Sequence, residues 1–367
     1  MILLYVGFVT LVIMLLALDL GIFHRTAHVV RVKEALGWSA FWISLGVLFS
    51  TFIYYGYENH WLGLGLTVDA MSVPRTLSDG TIIYNDGSSA VVKYITGFLV
   101  EKSLAVDNIF VIAMVFAFFA VPAMYQHRVL FWGILGALLM RGAMIGVGTA
   151  LIVKFSWIIY IFGGFLILTG IKMLAMKEDD SDFSENAAVR LARKLLPITE
   201  RYHGQKFVVR AGTPESRAPA TPGAPVEIDR VVDKAKQGAL LATPLFLTLV
   251  LIEVTDLIFA VDSIPAIFAI TTDAFIVFTS NVFAILGLRS LYFALAGMMD
   301  KFAYLKISLA FVLIIVGIKM LAHNWLKQVL GENFNLYMLS VVLAILAAGV
   351  VASLVRNSRE ARDAQVP

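Results

Sequence analysis

Six acidic residues lie inside long apolar segments of this sequence, where a side chain meets lipid or other protein rather than water. They are Asp19, Glu101, Asp107, Glu253, Asp256 and Asp262. A charged side chain at the centre of a membrane-spanning helix costs at least about 2.5 kcal/mol, so such residues usually serve a function. These carboxylates are therefore the candidate functional residues of the chain.

Carboxylates without sulfur ligands favour hard cations. The sequence has no cysteine, and none of its 6 histidines falls within the acidic segments. Mg²⁺, Ca²⁺ and Mn²⁺ prefer oxygen ligands, whereas zinc and copper sites usually contain histidine or cysteine. Crowded acids in a low dielectric also hold protons, so the same groups are candidates for proton coupling. The predicted ligands of a hard divalent cation are Asp107, Glu253, Asp256, Asp262, Glu101 and Asn108.

Three basic residues lie deep in the same apolar segments, namely Lys102, Arg141 and Arg289. They are too few to pair with every acid one to one. We expect them to balance part of the negative charge, either by holding adjacent acids ionised or by filling the site when no cation is bound.

Helical spacing groups some of these residues on one face. Positions seven apart share a face, which places Glu101 beside Asn108 and Asp256 beside Ser263. Ser263 is therefore a possible accessory ligand. Asp19 is a second accessory candidate, without a geometric argument.

Asp107 and Asp262 do not share that face. Asp107 lies six residues beyond Glu101, and Asp262 lies six beyond Asp256, about 120° away around a straight helix. They join the site only if the helices unwind locally. Pro265 favours such a break just after Asp262, because proline removes a backbone donor.

The composition predicts an all-α integral membrane protein. Hydrophobic residues make up 59% and charged residues 15% of the chain, and the mean hydropathy is +0.84; soluble domains have about 25% charged residues. Outer-membrane barrels instead alternate apolar and polar residues. Segments of about 20 apolar residues predict about nine spans. These are Ile2–Phe23, Trp38–Tyr55, Ala90–Val121, Val129–Val153, Trp157–Met176, Ala239–Ile270, Phe275–Met298, Ala303–Leu321 and Leu336–Val355.

Loop charges predict the orientation. Lys and Arg of the short loops collect mainly on one side, which places the N-terminus outside and the C-terminus in the cytoplasm. Residues 57–89 then form an extracytoplasmic loop, in which Ser78–Gly80 or Asn85–Gly87 favours a hairpin. Residues 177–238 form a cytoplasmic loop. We expect an interfacial helix at Val189–Arg201 and disorder at the Pro-rich Thr213–Pro225.

Two parts of the sequence repeat. The hexapeptide GIKMLA occurs at Gly170–Ala175 and again at Gly317–Ala322. Upstream, Ala105–Ile109 matches Ala260–Ile264, and each copy has one arginine in its second span. Three spans per copy would invert the second copy, as in transporters with a substrate site near the midplane. We predict inverted three-helix repeats at residues 90–176 and 239–322, with further helices in 1–56 and 336–355.

Four motifs of the sequence resemble those of the TerC family. They are LALDLG at Leu16–Gly21, EKSLAVDN at Glu101–Asn108, EVTDLIFAVDSIPA at Glu253–Ala266, and LPITERYHG at Leu196–Gly204. The resemblance implies a bacterial inner-membrane protein of the LysE-type transporter superfamily, with members implicated in manganese export. The family's intramembrane acids would correspond to Glu101, Asp107, Glu253, Asp256 and Asp262.

Two functions remain open at this point. The first is a transporter that exports a hard divalent cation, which the resemblance narrows to Mn²⁺. The second is a membrane scaffold or assembly protein linked to metal homeostasis or to tellurium and stress resistance. The sequence has no nucleophile–base pair, cofactor motif or nucleotide-binding signature, and its net charge of +3 is small. We therefore expect neither an enzyme nor a nucleic-acid partner; the partners are the metal ion and the bilayer.

Overall fold

Helices make up most of the chain. The computed structural model describes residues 1–21, 32–155, 157–175, 197–217, 219, 221, 229–295, 304–322, 325–326 and 334–363. The helices are α1 (Ile2–Gly21), α2 (Val32–Glu58), α3 (Gly87–Phe118), α4 (Ala123–Lys154), α5 (Ile158–Ala175), α6 (Arg230–Lys234), α7 (Pro244–Phe268), α8 (Ala274–Ile285), α9 (Leu288–Leu295), α10 (Leu305–Leu321) and α11 (Phe334–Asp363).

Several of these helices are long and apolar enough to cross a membrane. By length and composition there are 5 among the described residues, α2, α4, α7, α8 with α9, and most of α11. Shorter apolar helices lie at Ile2–Leu18, Tyr160–Ala175 and Ile307–Leu321. The α3 helix has 32 residues but carries several charges. The prediction of a helical, multi-pass membrane protein is confirmed in this form, and the count of nine spans stays a prediction.

The distribution of polarity is that of a protein surrounded by lipid. Large apolar side chains project outward, such as Leu139 and Leu168, which are 69% and 68% exposed. In contrast, the charged side chains of Lys93, Glu101 and Arg141 are buried. This arrangement is stable only where an apolar medium covers the outer surface.

The α5 and α10 helices pack most closely. Their backbones touch because glycines line the contact: a Cβ at Gly170 would lie 2.8 Å from Ala310 O, and one at Gly317 would lie 2.7 Å from Gly163 O. Since the later glycine of α5 contacts the earlier part of α10, the two helices run antiparallel. Small residues permit this close packing in membranes, where van der Waals contact drives association.

A helix break occurs at a different place from the predicted one. The α7 helix continues through Pro265 to Phe268, so the predicted unwinding there is wrong. The proline costs one hydrogen bond three residues before the helix end, and its own carbonyl still accepts from Ala269 N at 3.0 Å. The span predicted at Phe275–Met298 is instead divided into α8 and α9 at Gly287, which has φ 80°.

The loop at residues 59–86 contains the predicted hairpin. The strands β1 (Arg75–Thr76) and β2 (Ile82–Ile83) pair in antiparallel fashion around the turn that contains Ser78–Gly80. The other turn candidate serves a helix instead, because Asp86 caps the N-terminus of α3 by accepting from Ser89 N.

The described parts of the loop between α5 and α7 are folded. The strands β3 (Val208–Arg210) and β4 (Leu240–Ala242) pair in antiparallel fashion and cover a small apolar core with α6. The sixth span therefore begins at Pro244, not at Ala239. Part of the Pro-rich segment, predicted to be disordered, forms a short 3₁₀ helix at Pro214–Arg217. Most of Val189–Arg201 lies outside the described residues.

The helix break should require glycine at position 287. A Cβ there would lie 2.5 Å from Trp42 Cβ, in addition to the positive φ. We expect Gly287→Ala to lower the free energy of unfolding by about 1–3 kcal/mol, measured by thermal denaturation in detergent. Gly164→Ala is the matched control, since nothing lies within 4 Å of its Cβ position. That variant should be as stable as the parent or more so, and equal losses in the two would contradict the assignment.

Candidate cation site

A buried arginine joins the two acidic helices. The Arg141 guanidinium, on α4, contacts Asp256 of α7 in bidentate fashion, with Nε–Oδ2 at 3.2 Å and Nη2–Oδ1 at 3.0 Å. Its Nη1 also pairs with Glu101 of α3. Arg141 is 2% exposed and Glu101 is fully buried. One guanidinium therefore pairs with two carboxylates from two different helices and cancels one of their two charges.

Neutral polar side chains complete the surroundings of Arg141. Nη1 lies 3.3 Å from Ser263 Oγ and 3.4 Å from Asn281 Oδ1. Asn108 Nδ2 donates to Asp256 Oδ1 at 3.5 Å. The predicted grouping of Glu101 with Asn108 and of Asp256 with Ser263 thus falls in one cluster, at the point where α3, α4, α7 and α8 meet.

Glu253 lies next to this cluster on α7, without a basic partner among the described residues. Its Oε2 atom is buried and accepts no hydrogen bond from any of them. Its carboxylate occupies the space where a side chain at Gly136 of α4 would project. Gly136 therefore makes room for an ionisable group that the surrounding protein does not neutralise.

Of the other predicted site residues, three have side chains outside the described part of the structure, and two, Arg289 and Lys102, lie within it. The backbones of Asp107 and Asp262 lie within α3 and α7, and that of Asp19 lies within α1, but their side chains are outside the described part of the structure. Arg289 is buried, 3% exposed, on α9. Lys102 binds backbone: its Nζ donates to Ala284 O at 3.0 Å and to Leu286 O at 3.3 Å, at the end of α8.

The described side chains do not form a ready-made metal centre. Within the described ranges, no three His, Cys, Asp or Glu residues come together in a way that could hold a metal ion. Arg141 lies between Glu101 and Asp256 instead. The predicted ligand set therefore stays a prediction, and it requires the guanidinium to move.

Comparison with known proteins assigns the family. Residues 86–361 match the family model described as "Integral membrane protein TerC family". The chain belongs to the TerC family. The matched region contains every residue of the Arg141 cluster, and it leaves α1 and α2 outside.

Relatives in this family align over nearly the whole chain. An "Uncharacterized membrane protein STKORF319" of Myxococcus xanthus is 43% identical over 366 residues, covering 99% of this chain and 96% of the relative. A protein of Photorhabdus laumondii named "Putative membrane-bound redox modulator Alx" is 39% identical over 364 residues, covering 99% and 98%. Its Escherichia coli K12 namesake is 41% identical over 346 residues, covering 93% and 94%. No solved structure matches the chain significantly.

Sequence reasoning missed two residues of this TerC-family site. Asn281 is fully buried against Arg141, and the signal for it was a Ser280–Asn281 pair within an otherwise apolar span. Gly136 left no such signal, because a glycine in an apolar helix has many ordinary reasons to be there. Its role depends on the distance between α4 and α7.

The ion pairs of Arg141 should contribute strongly to stability. Arg141→Gln leaves two buried carboxylates without a counter-charge, and we expect it to lower the free energy of unfolding by about 3–5 kcal/mol. Thermal denaturation in detergent measures the effect. Adding Asp256→Asn should recover part of the loss, because one uncompensated charge is removed.

Arg75→Gln is the matched control for that measurement. The Arg75–Asp86 pair is exposed, with side-chain exposures of 49% and 28%, and its loss should change stability by no more than about 1 kcal/mol. Equal stability of the Arg141 and Arg75 variants would show that the buried pairs do not hold the helices together.

Proposed function

We propose that this TerC-family protein exports a hard divalent cation, with Mn²⁺ as the substrate, along a path between α3, α4, α7 and α8. The observation that carries the proposal is an imbalance of charge. The described cluster has three acids, Glu101, Glu253 and Asp256, against one base, Arg141. The excess equals the charge of one divalent cation. Asp107 and Asp262, on the same two helices, add further negative charge.

Arg141 would then act as a resident counter-ion. It pairs with Glu101 and Asp256 and keeps its own charge, since a guanidinium does not deprotonate in proteins. An entering cation competes with the guanidinium for those carboxylates and recruits Glu253. Carboxylate, amide and hydroxyl oxygens suit Mg²⁺, Ca²⁺ and Mn²⁺ alike, and the preference for Mn²⁺ rests on the family resemblance.

The packing of the helices supports the predicted inverted repeats. The two GIKMLA copies are 147 residues apart, from Gly170 to Gly317. Applying this shift converts the Gly170–Ala310 contact into the Gly317–Gly163 contact, and both contacts occur. A two-fold relation between repeats of opposite orientation would produce this pairing. Arg289 is the counterpart of Arg141, so the two arginines would exchange roles as access alternates.

The orientation proposed for this mechanism follows the loop charges. It places residues 59–86 outside and the β3–β4 region in the cytoplasm of a bacterial cell, so the inner membrane is the proposed location. Exchange with protons, or downhill flow, would drive export. The redox role in the name of the Alx relatives is not a thiol reaction of this chain, which has no cysteine.

Glu253→Gln tests the transport function most directly. The variant loses charge but not shape, so we expect Mn²⁺ flux into proteoliposomes to fall by about tenfold or more while the stability stays equal or rises, because an unpaired buried carboxylate is costly. A fluorescent Mn²⁺ indicator inside the vesicles measures flux, and Ca²⁺ and Mg²⁺ added in competition measure selectivity.

Two glycine variants provide the control. Gly136→Ala should displace the Glu253 carboxylate and reduce flux, whereas Gly146→Ala on the same helix, with nothing within 4 Å, should leave it unchanged. Full flux in Glu253→Gln would refute the site. If the parent protein shows no flux but loses a co-purifying membrane protein when Glu253 is changed, the scaffold function replaces export.

A further inference from the structure

A network of buried polar groups fixes the lid loop, defined as residues 59–86, over one end of the helices. At its centre is Asp69, 2% exposed. Its Oδ2 atom lies 2.8 Å from Lys93 Nζ on α3, with side-chain exposures of 0% and 1%. The same ammonium donates to Ser72 Oγ and Asn85 Oδ1. All three donors of Lys93 are therefore directed at the lid loop.

The lid loop also binds the turn between α7 and α8. Thr271 Oγ1 donates to Asp69 Oδ2 at 2.6 Å, and Thr272 N donates to Asp69 Oδ1 at 2.9 Å. In return, Ala70 N donates to Thr272 Oγ1 at 2.8 Å. One carboxylate thus ties together α3, the α7–α8 turn and the loop.

The ion pair at the centre of this network differs from a surface ion pair, because both of its side chains are buried. Burial opposes ionisation of Asp69, but the Lys93 ammonium and the hydrogen bonds from Thr271 and Thr272 outweigh it and hold the pKa of this carboxyl well below its usual range. Burial raises the pKa of Asp273, and the nearby charge of Asp69 raises it further. Breaking such a buried pair is costly, because it leaves a charge uncompensated.

The lid loop also buries the apolar side chain of Met71. Met71 is 4% exposed and belongs to the same buried cluster as Val100, Ile264 and Ile267. Val100 immediately precedes Glu101, and Ile264 immediately follows Ser263, which contacts Arg141. Met71 therefore attaches the lid loop to the apolar cluster that borders the charged site.

At the other end of the helices, the described contacts include two hydrogen bonds from tyrosines. There, the Tyr202 hydroxyl donates to Phe119 O at 2.6 Å, in the turn between α3 and α4, and the Tyr292 hydroxyl donates to Gln126 Oε1 at 3.0 Å. Both hydrogen bonds join neutral groups, unlike the Asp69–Lys93 ion pair of the lid loop.

We propose that the lid loop is the outer gate of the cation path, latched by the Asp69–Lys93 ion pair and plugged by Met71. This inference rests on the transport function proposed above. The charged cluster is then sealed from the outside by default and is loaded from the opposite end, as export requires. Release demands that Asp69 leave Lys93 and the α7–α8 turn together.

Thiol labelling tests the latch without depending on transport, because the chain has no cysteine of its own. The reporter is Val100→Cys, below Met71, exposed to a membrane-impermeant maleimide on the lid side. Adding Asp69→Asn should raise the labelling rate about tenfold or more, since the ion pair is lost. Met71→Ala should raise it as well.

Two controls accompany the labelling. Arg75→Gln breaks the exposed ion pair of the same loop and should leave the rate unchanged, and Ser78→Cys at the hairpin tip should react in every background. An unchanged labelling rate of the reporter in folded Asp69→Asn protein would overturn the latch.

Cross-linking tests the gate where Asp69→Asn fails to fold. Ala70→Cys with Thr272→Cys places two thiols across the lid contact, and a short, reducible thiol cross-linker then fixes the loop on the turn. We expect Mn²⁺ flux in proteoliposomes to stop and to return when the linker is reduced. Continued flux through cross-linked protein would overturn the gate but leave export intact. Absence of flux in the cysteine-free parent would instead refute export, and the labelling result would still decide whether the loop opens.

Discussion

The contact of Arg141 with Glu101 and Asp256 is the interaction on which the interior of this protein depends. Three helices contribute one charge each, and Glu101 and Arg141 are buried while the Asp256 side chain is 14% exposed. In an interior of low dielectric, an unpaired charge neutralises itself or disrupts packing. The guanidinium prevents both, because it keeps its own proton and presents several donors in a fixed plane. The helices can therefore bring acids together at the middle of the bundle without separating.

The described cluster has an excess of negative charge, because Arg141 is paired with Glu101 and Asp256 and leaves Glu253 without a counter-charge. Glu253 lies beside the pair, accommodated by Gly136 and left without a described basic partner. A protein built only for stability would have replaced it by an apolar residue, since buried ionic groups are often neutral or costly to stability. Under the proposed function, this cost to stability is accepted for binding a cation.

The sequence revealed features that depend on residues close together in the chain and missed those that depend on residues far apart in it. Apolar length was sufficient to recognise membrane helices, and the grouping of Asn108 and Ser263 with the acids followed from helical period alone. The break at Gly287 was not accessible in this way, because it depends on Trp42 of another helix and on Lys102, whose ammonium binds the last carbonyls of α8. Pro265 was misleading, since a proline near a helix end costs little. The Asp69 network also escaped, because its members are far apart in the chain: Asp69 lies in the lid loop, Lys93 in α3 and Thr271 in the α7–α8 turn.

The glycine contact between α5 and α10 has a mechanical consequence. At Gly170 and Gly317 the two backbones touch, with the side chains of Ile314 and Ile167 packed beside them, so the helices can rotate about their contact but cannot slide apart without losing it. The line of contact therefore defines a pivot. In the proposed transport cycle, rotation about it would open the bundle toward the charged cluster without separating α5 from α10.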